Sequence, residues 1–214
     1  MNCDDDIIKT CRQVWEEMNL ATSGGKIVRN FHRSRIQMKG GGYVVETDLF
    51  PVDALKAYSA WNLGDEVDEA SKKKYFSSHR GGSQGDYREG MPSKINNVID
   101  CLLKFPKSKR AVIAIPNNSH ATHTCDDDAK CMREVHFYLI DSSDQDITSA
   151  GGNKNSDEEK RQLNATVLMR AQAAEIFPKN IHFVGSLMDR IASQLHVEVG
   201  ELFYVATVLV SDRS

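Results

Sequence analysis

Four short runs of apolar, β-branched and aromatic residues constrain the fold of this chain more than any other feature of its sequence. They have the length and residue types of β-strands. These runs occupy residues 110–115, 135–141, 163–170 and 202–210. Amphipathic segments at residues 95–105 and 180–195 place apolar side chains at helical spacing. This mixture, without an internal repeat, predicts an α/β fold in which helices pack on a large mixed β-sheet.

The rest of the chain gives fewer signals and no clean domain boundary, so residues 1–214 are predicted to form a single domain. Polar segments at residues 65–90 and 142–160 are typical of surface loops. In the N-terminal part we predict a helix at residues 4–18, a strand at residues 43–47 and a short helix at residues 54–61.

The composition is that of an ordinary globular protein, since 40% of the 214 residues are hydrophobic and 27% are charged. A net charge of -3 gives no general attraction to nucleic acid. The chain has no run of about 18 apolar residues, and its acidic N-terminus lacks the features of a signal peptide. Five irregularly spaced cysteines do not suggest a disulfide framework. We therefore expect a reduced, cytoplasmic protein with no membrane or nucleic-acid partner.

A cysteine and several basic residues lie near the ends of the predicted strands. Cys131 comes shortly before one strand, and Arg170 ends the next. Lys109 and Arg110 begin an earlier strand, and Arg29 lies in a basic segment nearer the N-terminus. Arginines favour a thiolate and bind phosphate, so this pattern favours a reactive cysteine beside an anion site. The alternative is that the basic side chains face water and the cysteine is buried and unreactive.

A zinc site built from His120, His123, Cys125 and Cys131 is a second hypothesis. Histidine and thiolate are good zinc ligands, and their density in this segment is unusual. Their spacing matches no closed tetrahedral motif, however, and the aspartates at residues 126–128 are typical of a solvated loop. Zinc therefore stays an alternative to the favoured hypothesis, which contains no metal.

Five segments, in this order and at similar spacing, resemble the thymidylate synthase family. Residues 106–110 resemble its Pro-x-Ser-Arg-Arg, and residues 131–138 resemble its Cys-His-x-x-x-Gln-Phe-Tyr. Residues 169–171 stand where the family has Gln-Arg-Ser, and residues 177–181 resemble Leu-Gly-x-Pro-Phe-Asn-Ile. Residues 200–203 resemble the segment that follows the family's next helix. The resemblance implies a thymidylate synthase-like fold that pairs sheet to sheet as a homodimer.

The resemblance also implies roles for individual residues. Cys131 would be the nucleophile that attacks C6 of a pyrimidine, which lets C5 accept a one-carbon unit. Arg170 would bind the nucleotide phosphate, and Asn180 would face the edge of the base. Lys109 and Arg110 would reach the phosphate bound by the partner subunit of the homodimer.

The implied function is methylation or hydroxymethylation at C5 of a pyrimidine nucleoside monophosphate, with a reduced folate as the one-carbon donor. The resemblance covers roughly residues 92–210, and several family residues differ. Met132 replaces the His after the cysteine, His136 replaces a Gln, and Ala173 replaces an Asp that contacts folate. The family's general-acid Glu has no clear counterpart, and Asp53 is the nearest. An inactive protein of this fold, which binds nucleotide or only dimerises, and the zinc-binding module stay open as alternatives.

Overall fold

Helices and strands alternate along the chain in the computed structural model, which describes residues 7–30, 32–76, 86–116, 130–141 and 161–211. The predicted loop at residues 142–160 lies outside the described residues. The helices are α1 (Cys11–Ala21), α2 (Val52–Leu63), α3 (Glu69–Tyr75), α4 (Met91–Lys104) and α5 (Phe177–Leu195). The strands are β1 (Ile8–Lys9), β2 (Val28–Arg29), β3 (His32–Gln37), β4 (Val112–Ala114), β5 (Met132–Asp141), β6 (Arg161–Met169), β7 (Gln172–Ala173), β8 (Glu198–Ala206) and β9 (Val208–Val210).

Within the described residues, six strands form a mixed sheet in the order β1-β3-β8-β6-β5-β4. The central neighbours β6 and β8 run parallel, whereas β5 pairs antiparallel with β6 and β3 pairs antiparallel with β8. The short strands β2, β9 and β7 form a smaller sheet. This architecture confirms the predicted α/β class and the large mixed sheet packed by helices.

The main core lies between the helices and one face of the six-stranded sheet. Side chains alternate along the strands, so Val135, Phe137 and Val167 all point to this face and are fully buried. Helices α1, α4 and α5 add their apolar faces to the same cluster, and α5 is buried on most of its circumference. Burial of this apolar surface is the main contribution to the stability of the fold.

The opposite face of the six-stranded sheet, which we call the open face, carries half-exposed side chains. Tyr138 on β5, Leu168 on β6 and Phe203 on β8 lie on it. An ion pair between Arg35 and Glu201 joins β3 to β8 at 2.7 Å, and the Arg35 guanidinium lies 5.9 Å from the centre of the Phe203 ring. The open face is therefore a mixed apolar and polar surface.

The first predicted helix begins later than expected. The prediction placed it at residues 4–18, but α1 begins at Cys11 because the Thr10 side chain accepts a hydrogen bond from the Gln13 N–H and caps the helix there. The residues just before it, Ile8–Lys9, form β1 and pair parallel with β3. Strand β3 runs through the basic segment and is not among the predicted strands.

The prediction of a strand at residues 43–47 is wrong. Tyr43 packs instead on α5, with its ring 5.3 Å from the His182 ring in an edge-on contact and its hydroxyl donating to Asp189. A Cβ at Gly185 would lie 2.1 Å from the Tyr43 ring, so only glycine leaves room for this contact. Side-chain contact with a helix, rather than strand pairing, determines the path of this segment.

Two other segments also differ between the prediction and the structure. The loop expected at residues 65–90 contains α3, whose start is capped by Asp68 accepting a hydrogen bond from the Ser71 N–H at 2.8 Å. The last strand, predicted at residues 202–210, is divided at Thr207 into β8 and β9, which belong to different sheets. This break places Thr207 beside the predicted site around Cys131 and Arg170.

Candidate functional site

Cys131 directly precedes β5 and Arg170 directly follows β6, so the two residues are neighbours at one end of these paired strands. The Arg170 N–H donates a hydrogen bond to the Cys131 carbonyl at 2.7 Å, just beyond the last pair of the β5–β6 ladder. The Cys131 side chain is half-buried against the main core, and Arg170 is exposed. The fold therefore brings the backbones of the predicted nucleophile and the predicted phosphate ligand together at one end of the sheet.

Thr207 connects this pair to the segment that contains Arg29. The Thr207 N–H donates to the Met169 carbonyl at 3.0 Å, and its hydroxyl donates to the Arg170 carbonyl. The Thr207 carbonyl accepts from the Asn30 N–H at 2.7 Å, and the exposed Arg29 pairs with the residue after Thr207 in the small sheet. Arg29 thus belongs to the same end of the molecule as Arg170.

Three buried tyrosines, Tyr58, Tyr87 and Tyr204, lie near Cys131, and we call them the tyrosine cluster. The Tyr87 hydroxyl accepts a hydrogen bond from the Met132 N–H at 3.3 Å. Burial raises the pKa of Tyr58 and of Tyr204 well above the ordinary value, and the proximity of Tyr87 and Cys131 raises both further. Both hydroxyls therefore stay protonated near neutral pH and can donate hydrogen bonds, but they cannot act as bases.

Tyr87 lies in the polar segment predicted as a long loop, so the sequence provides no reason to expect it in the site. Its N–H donates to the Asn62 side-chain oxygen at 2.6 Å, and Asn62 donates in turn to the Tyr58 carbonyl at 3.0 Å. The Tyr87 ring stacks on Phe183 with the ring centres 5.7 Å apart. A tyrosine between a polar segment and a predicted helix carries no pattern that would have revealed these contacts.

Asn180 is buried near the start of α5 in an orientation that a hydrogen-bond network determines. The Gln172 amide nitrogen donates to the Ala173 carbonyl at 2.5 Å, so the Gln172 oxygen must be the atom that faces Tyr204 and Asn180. That oxygen accepts from the Tyr204 hydroxyl at 2.5 Å and from Asn180 Nδ2 at 3.0 Å. Asn180 Oδ1 therefore points elsewhere, and it is buried without a hydrogen-bond partner among the described residues.

Lys179 is a second polar side chain that the fold buries here, with only 2% of its surface exposed. Its Nζ lies 4.6 Å from the centre of the Tyr58 ring, which is a cation–π contact. The burial of Lys179 is not predictable from the sequence, because a single lysine beside an apolar helical stripe usually faces water.

Lys109 and Arg110 lie at the other end of the sheet. The Phe137 N–H donates to the Ala111 carbonyl at 2.8 Å, and Phe137 is six residues along the chain from Cys131, which is about 20 Å in a strand. Both basic side chains are exposed, and they line an open groove of about 830 Å³ at the end of α4. The structure therefore does not bring them to the Cys131 of the same chain.

The structure does not bear on the zinc hypothesis. His120, His123 and Cys125 lie outside the described residues, and no group of three metal-binding side chains occurs among those that are described. Asp53, the nearest counterpart of the family's general acid, is exposed in the first turn of α2 and accepts a hydrogen bond from Tyr75 at 3.4 Å.

At the position where the thymidylate synthase family contacts folate, the residues of this protein fit a bound folate poorly. Ala173, which replaces the folate-contacting Asp, is buried in a small apolar cluster with Phe50, Leu55 and Ile176. A methyl group in such a cluster cannot accept the hydrogen bond that a carboxylate would accept. We therefore derive no step of the chemistry through a folate.

Comparison with known proteins gives no assignment, because no protein-family model and no curated protein matches the chain. No helix among the described residues is long and apolar enough to cross a membrane. The functional proposal therefore depends on the geometry around Cys131 and on the residues that carry the resemblance.

Proposed function

We propose that the protein acts at C5 of a pyrimidine nucleoside 5′-monophosphate through a covalent adduct between Cys131 Sγ and C6 of the base. The observation that carries the proposal is the placement of three residues at one end of the sheet. Cys131 has a half-buried thiol, the exposed Arg170 donates its N–H to the Cys131 carbonyl, and Asn180 Oδ1, behind the tyrosine cluster, has no hydrogen-bond partner among the described residues. A thiol can act as a nucleophile, and a cation can bind a phosphate. A buried amide can form hydrogen bonds with the edge of a base.

The orientation of Asn180 favours uracil over cytosine. Asn180 Oδ1 is an acceptor, and the adjacent Nδ2 retains a second hydrogen beyond the one given to Gln172. Uracil offers a donor at N3 and an acceptor at O4, which complements this pair. Cytosine has an acceptor at N3, which would face the Asn180 oxygen and leave both atoms unsatisfied.

The chemistry requires a thiolate and an electron sink. The Cys131 sulfur forms a bond to C6, the electron pair of the C5–C6 double bond moves to C5 and the C4 carbonyl, and C5 becomes able to accept an electrophile. Arg170 and Arg29 hold the phosphate and so orient the base over the sulfur. The resemblance suggests a reduced folate as the one-carbon donor, but Ala173 does not suit folate binding, so the proposal assigns no donor. Methylation and hydroxymethylation are both compatible with the adduct.

We propose further that two copies pair through the open face. Leu168 and Phe203 supply apolar area there, and His136 Nε2 is buried on β5 without a partner among the described residues. Pairing through this face would place the Lys109 and Arg110 of one copy within reach of the other copy's phosphate site. The distance of about 20 Å between these residues and the Cys131 end of their own chain supports this arrangement.

A thermal-shift titration tests nucleotide binding. Uridine or deoxyuridine 5′-monophosphate at about 100 times its dissociation constant should stabilise the protein by about 2.7 kcal/mol, which corresponds to a rise of about 5–10 °C in Tm. The cytidine monophosphates and uridine without phosphate are the controls, and both should give smaller shifts at the same concentration. Equal shifts with all of these ligands, or none with any, would contradict the proposal.

A further inference from the structure

The open groove at the end of α4 carries an excess of positive charge in a chain that is negative overall. Among the described residues that line it, Asp100 is the one carboxylate, against four cations, Lys104, Lys107, Lys109 and Arg110. No ion pair within the described part of the chain involves any of these four cations. Because the whole chain has a net charge of -3, the groove is a local reversal of sign that attracts anions.

The dipole of α4 opposes this positive charge only weakly. Its negative end, equivalent to about half an elementary charge, lies at the same end of the helix. Lys104 in the last turn of α4 offsets that end, and three further cations remain against Asp100. The groove is therefore cationic on balance.

An aromatic ring lines the same groove and is largely uncovered. Phe105 follows Lys104 in the chain, and 66% of its surface is exposed. Water exposure of a phenylalanine favours a ligand that covers it, and an aromatic face stacks on a nucleobase of any kind. The groove therefore presents cations for a polyanion and an apolar ring for a flat group.

Hydrogen bonds fix the turn that carries the ring and the cations. The Phe105 N–H donates to the Cys101 carbonyl at 2.8 Å, and the Ser108 N–H donates to the Phe105 carbonyl at 2.9 Å. Ser108 Oγ accepts from the Arg110 N–H at 3.1 Å and lies 3.2 Å from Cys101 Sγ. Pro106 restricts the backbone within the turn. The backbone of the groove is thus formed without a ligand, which lowers the entropic cost of binding.

We propose that this groove binds a nucleoside triphosphate, with the phosphates against the cations and the base against the Phe105 ring. The inference goes beyond the proposed function and does not depend on it. The groove volume of about 830 Å³ falls in the range of about 300–1,000 Å³ that is usual for small-molecule sites, and a single phosphate would leave most of it empty. The groove lies at the opposite end of the sheet from the Cys131 of the same chain, so a triphosphate bound there is not the substrate of that cysteine.

The density of cations favours a triphosphate over an acidic peptide. All four cations occur within residues 104–110, and a triphosphate places several negative charges on adjacent phosphate groups. In an extended peptide the side chains on one side are about 7 Å apart, so few carboxylates could reach the groove together. Lys109 and Arg110 also have a role in the proposed homodimer, so Lys104 and Lys107 are the cations whose loss tests the groove alone.

Isothermal titration calorimetry of the full chain with ATP, in buffer without divalent cations, tests this site. Lys104→Gln combined with Lys107→Gln should weaken ATP binding by about tenfold or more, because the double variant loses charge-assisted contacts with the phosphates. Lys26→Gln combined with Lys73→Gln is the matched control. It removes the same charge at exposed positions that do not line the groove, so the Kd for ATP should not change.

Phe105→Ser tests the contact with the base. We expect inorganic tripolyphosphate to bind the wild type more weakly than ATP does, and Phe105→Ser to lower the ATP affinity to that of tripolyphosphate. Adenosine, which lacks the phosphates, should bind more weakly still. Leu103→Ser is the matched control, because Leu103 is 58% exposed in the last turn of α4 but does not line the groove, and this variant should bind ATP as the wild type does.

No binding of ATP by the wild type, equal weakening in the two double lysine variants, or equal ATP affinity in Phe105→Ser and the wild type would overturn the proposal. Tripolyphosphate that binds as tightly as ATP would assign the groove to phosphates alone. A glutamate-rich peptide with one phenylalanine that binds as tightly as ATP would assign it to a peptide. Either of these two results would overturn the nucleotide assignment as well.

Discussion

At the scale of single residues, the proposed function assigns the phosphate of the nucleotide to Arg170, which directly follows β6. Arg170→Ala should weaken the binding of uridine 5′-monophosphate by about 1.5–3 kcal/mol, because it removes a charge-assisted hydrogen bond. Binding of uridine without phosphate should not change. Isothermal titration calorimetry measures both affinities.

Arg161 provides a control for this variant. It begins β6, whereas Arg170 directly follows the other end of that strand, and it forms a surface ion pair with Asp141. Arg161→Ala should therefore leave nucleotide affinity unchanged. If Arg170→Ala weakens uridine as much as uridine monophosphate, Arg170 does not bind the phosphate.

Among single residues, the candidate site residues at the ends of strands could be predicted from the sequence, but those buried in the core could not. Cys131 and Arg170 were predictable because two consecutive antiparallel strands bring the start of one beside the end of the other. Tyr87 and Lys179 were not, because their burial depends on side chains far along the chain. The orientation of Asn180 likewise depends on Gln172 and could not be derived from its own position.

At the scale of secondary-structure elements, a buried polar contact joins α2 to α5. Ser59 Oγ lies 2.7 Å from His182 Nδ1, and both side chains are buried. Burial, together with the nearby charge of Lys56, lowers the pKa of His182 to about 4. His182 is therefore neutral in the folded protein at neutral pH.

This contact should make stability depend on pH. The unfolded chain binds a proton at His182 below about pH 6.5, whereas the folded protein does not bind one until about pH 4. The free energy of unfolding should therefore fall as the pH drops through this window, by about 2 kcal/mol between pH 7 and pH 5. Urea denaturation at the two pH values measures this change.

His182→Gln separates this effect from the titration of other groups. The variant loses the titrating ring, so its free energy of unfolding should differ much less between pH 7 and pH 5 than that of the wild type. An equally large difference in the variant would assign the effect to another residue.

The elements of the C-terminal half were predictable because their apolar residues recur with a clear period of a strand or a helix. The N-terminal elements depend more on long-range contacts. β3 contains basic residues, and its Arg35 is paired with Glu201, 166 positions further along the chain. The segment around Tyr43 follows a path that Gly185 permits, so local propensity could not predict it.

At the scale of the whole molecule, the proposed pairing of two copies through the open face predicts a homodimer in solution. Leu168→Arg places a charge on this face and should convert a dimer into a monomer at micromolar concentration, as measured by light scattering. Leu20→Arg is the matched control, because Leu20 is 76% exposed on α1 and lies away from the sheet. A monomeric wild type, or a dimer that survives Leu168→Arg, would contradict pairing through the open face.

The α/β class and the mixed sheet could be predicted from the pattern of strands and helices alone. The pairing of two copies could not be derived that way, because the alternation that buries one face of a strand does not say what covers the other face. The resemblance to the thymidylate synthase family supplies that expectation, which stays a prediction.

Exchange of the C5 hydrogen is the most direct test of the central claim that Cys131 forms an adduct at C6. Wild-type protein should exchange the C5 hydrogen of uridine 5′-monophosphate with solvent without any folate, because adduct formation needs only the thiolate and a bound nucleotide. Cys131→Ser should lower the rate by several orders of magnitude while nucleotide affinity is retained, and Cys101→Ser, which changes a half-buried cysteine on α4, should match the wild type. Nucleotide binding by the wild type with no exchange above the Cys131→Ser background would contradict the account, and the protein would then bind nucleotides without transforming them.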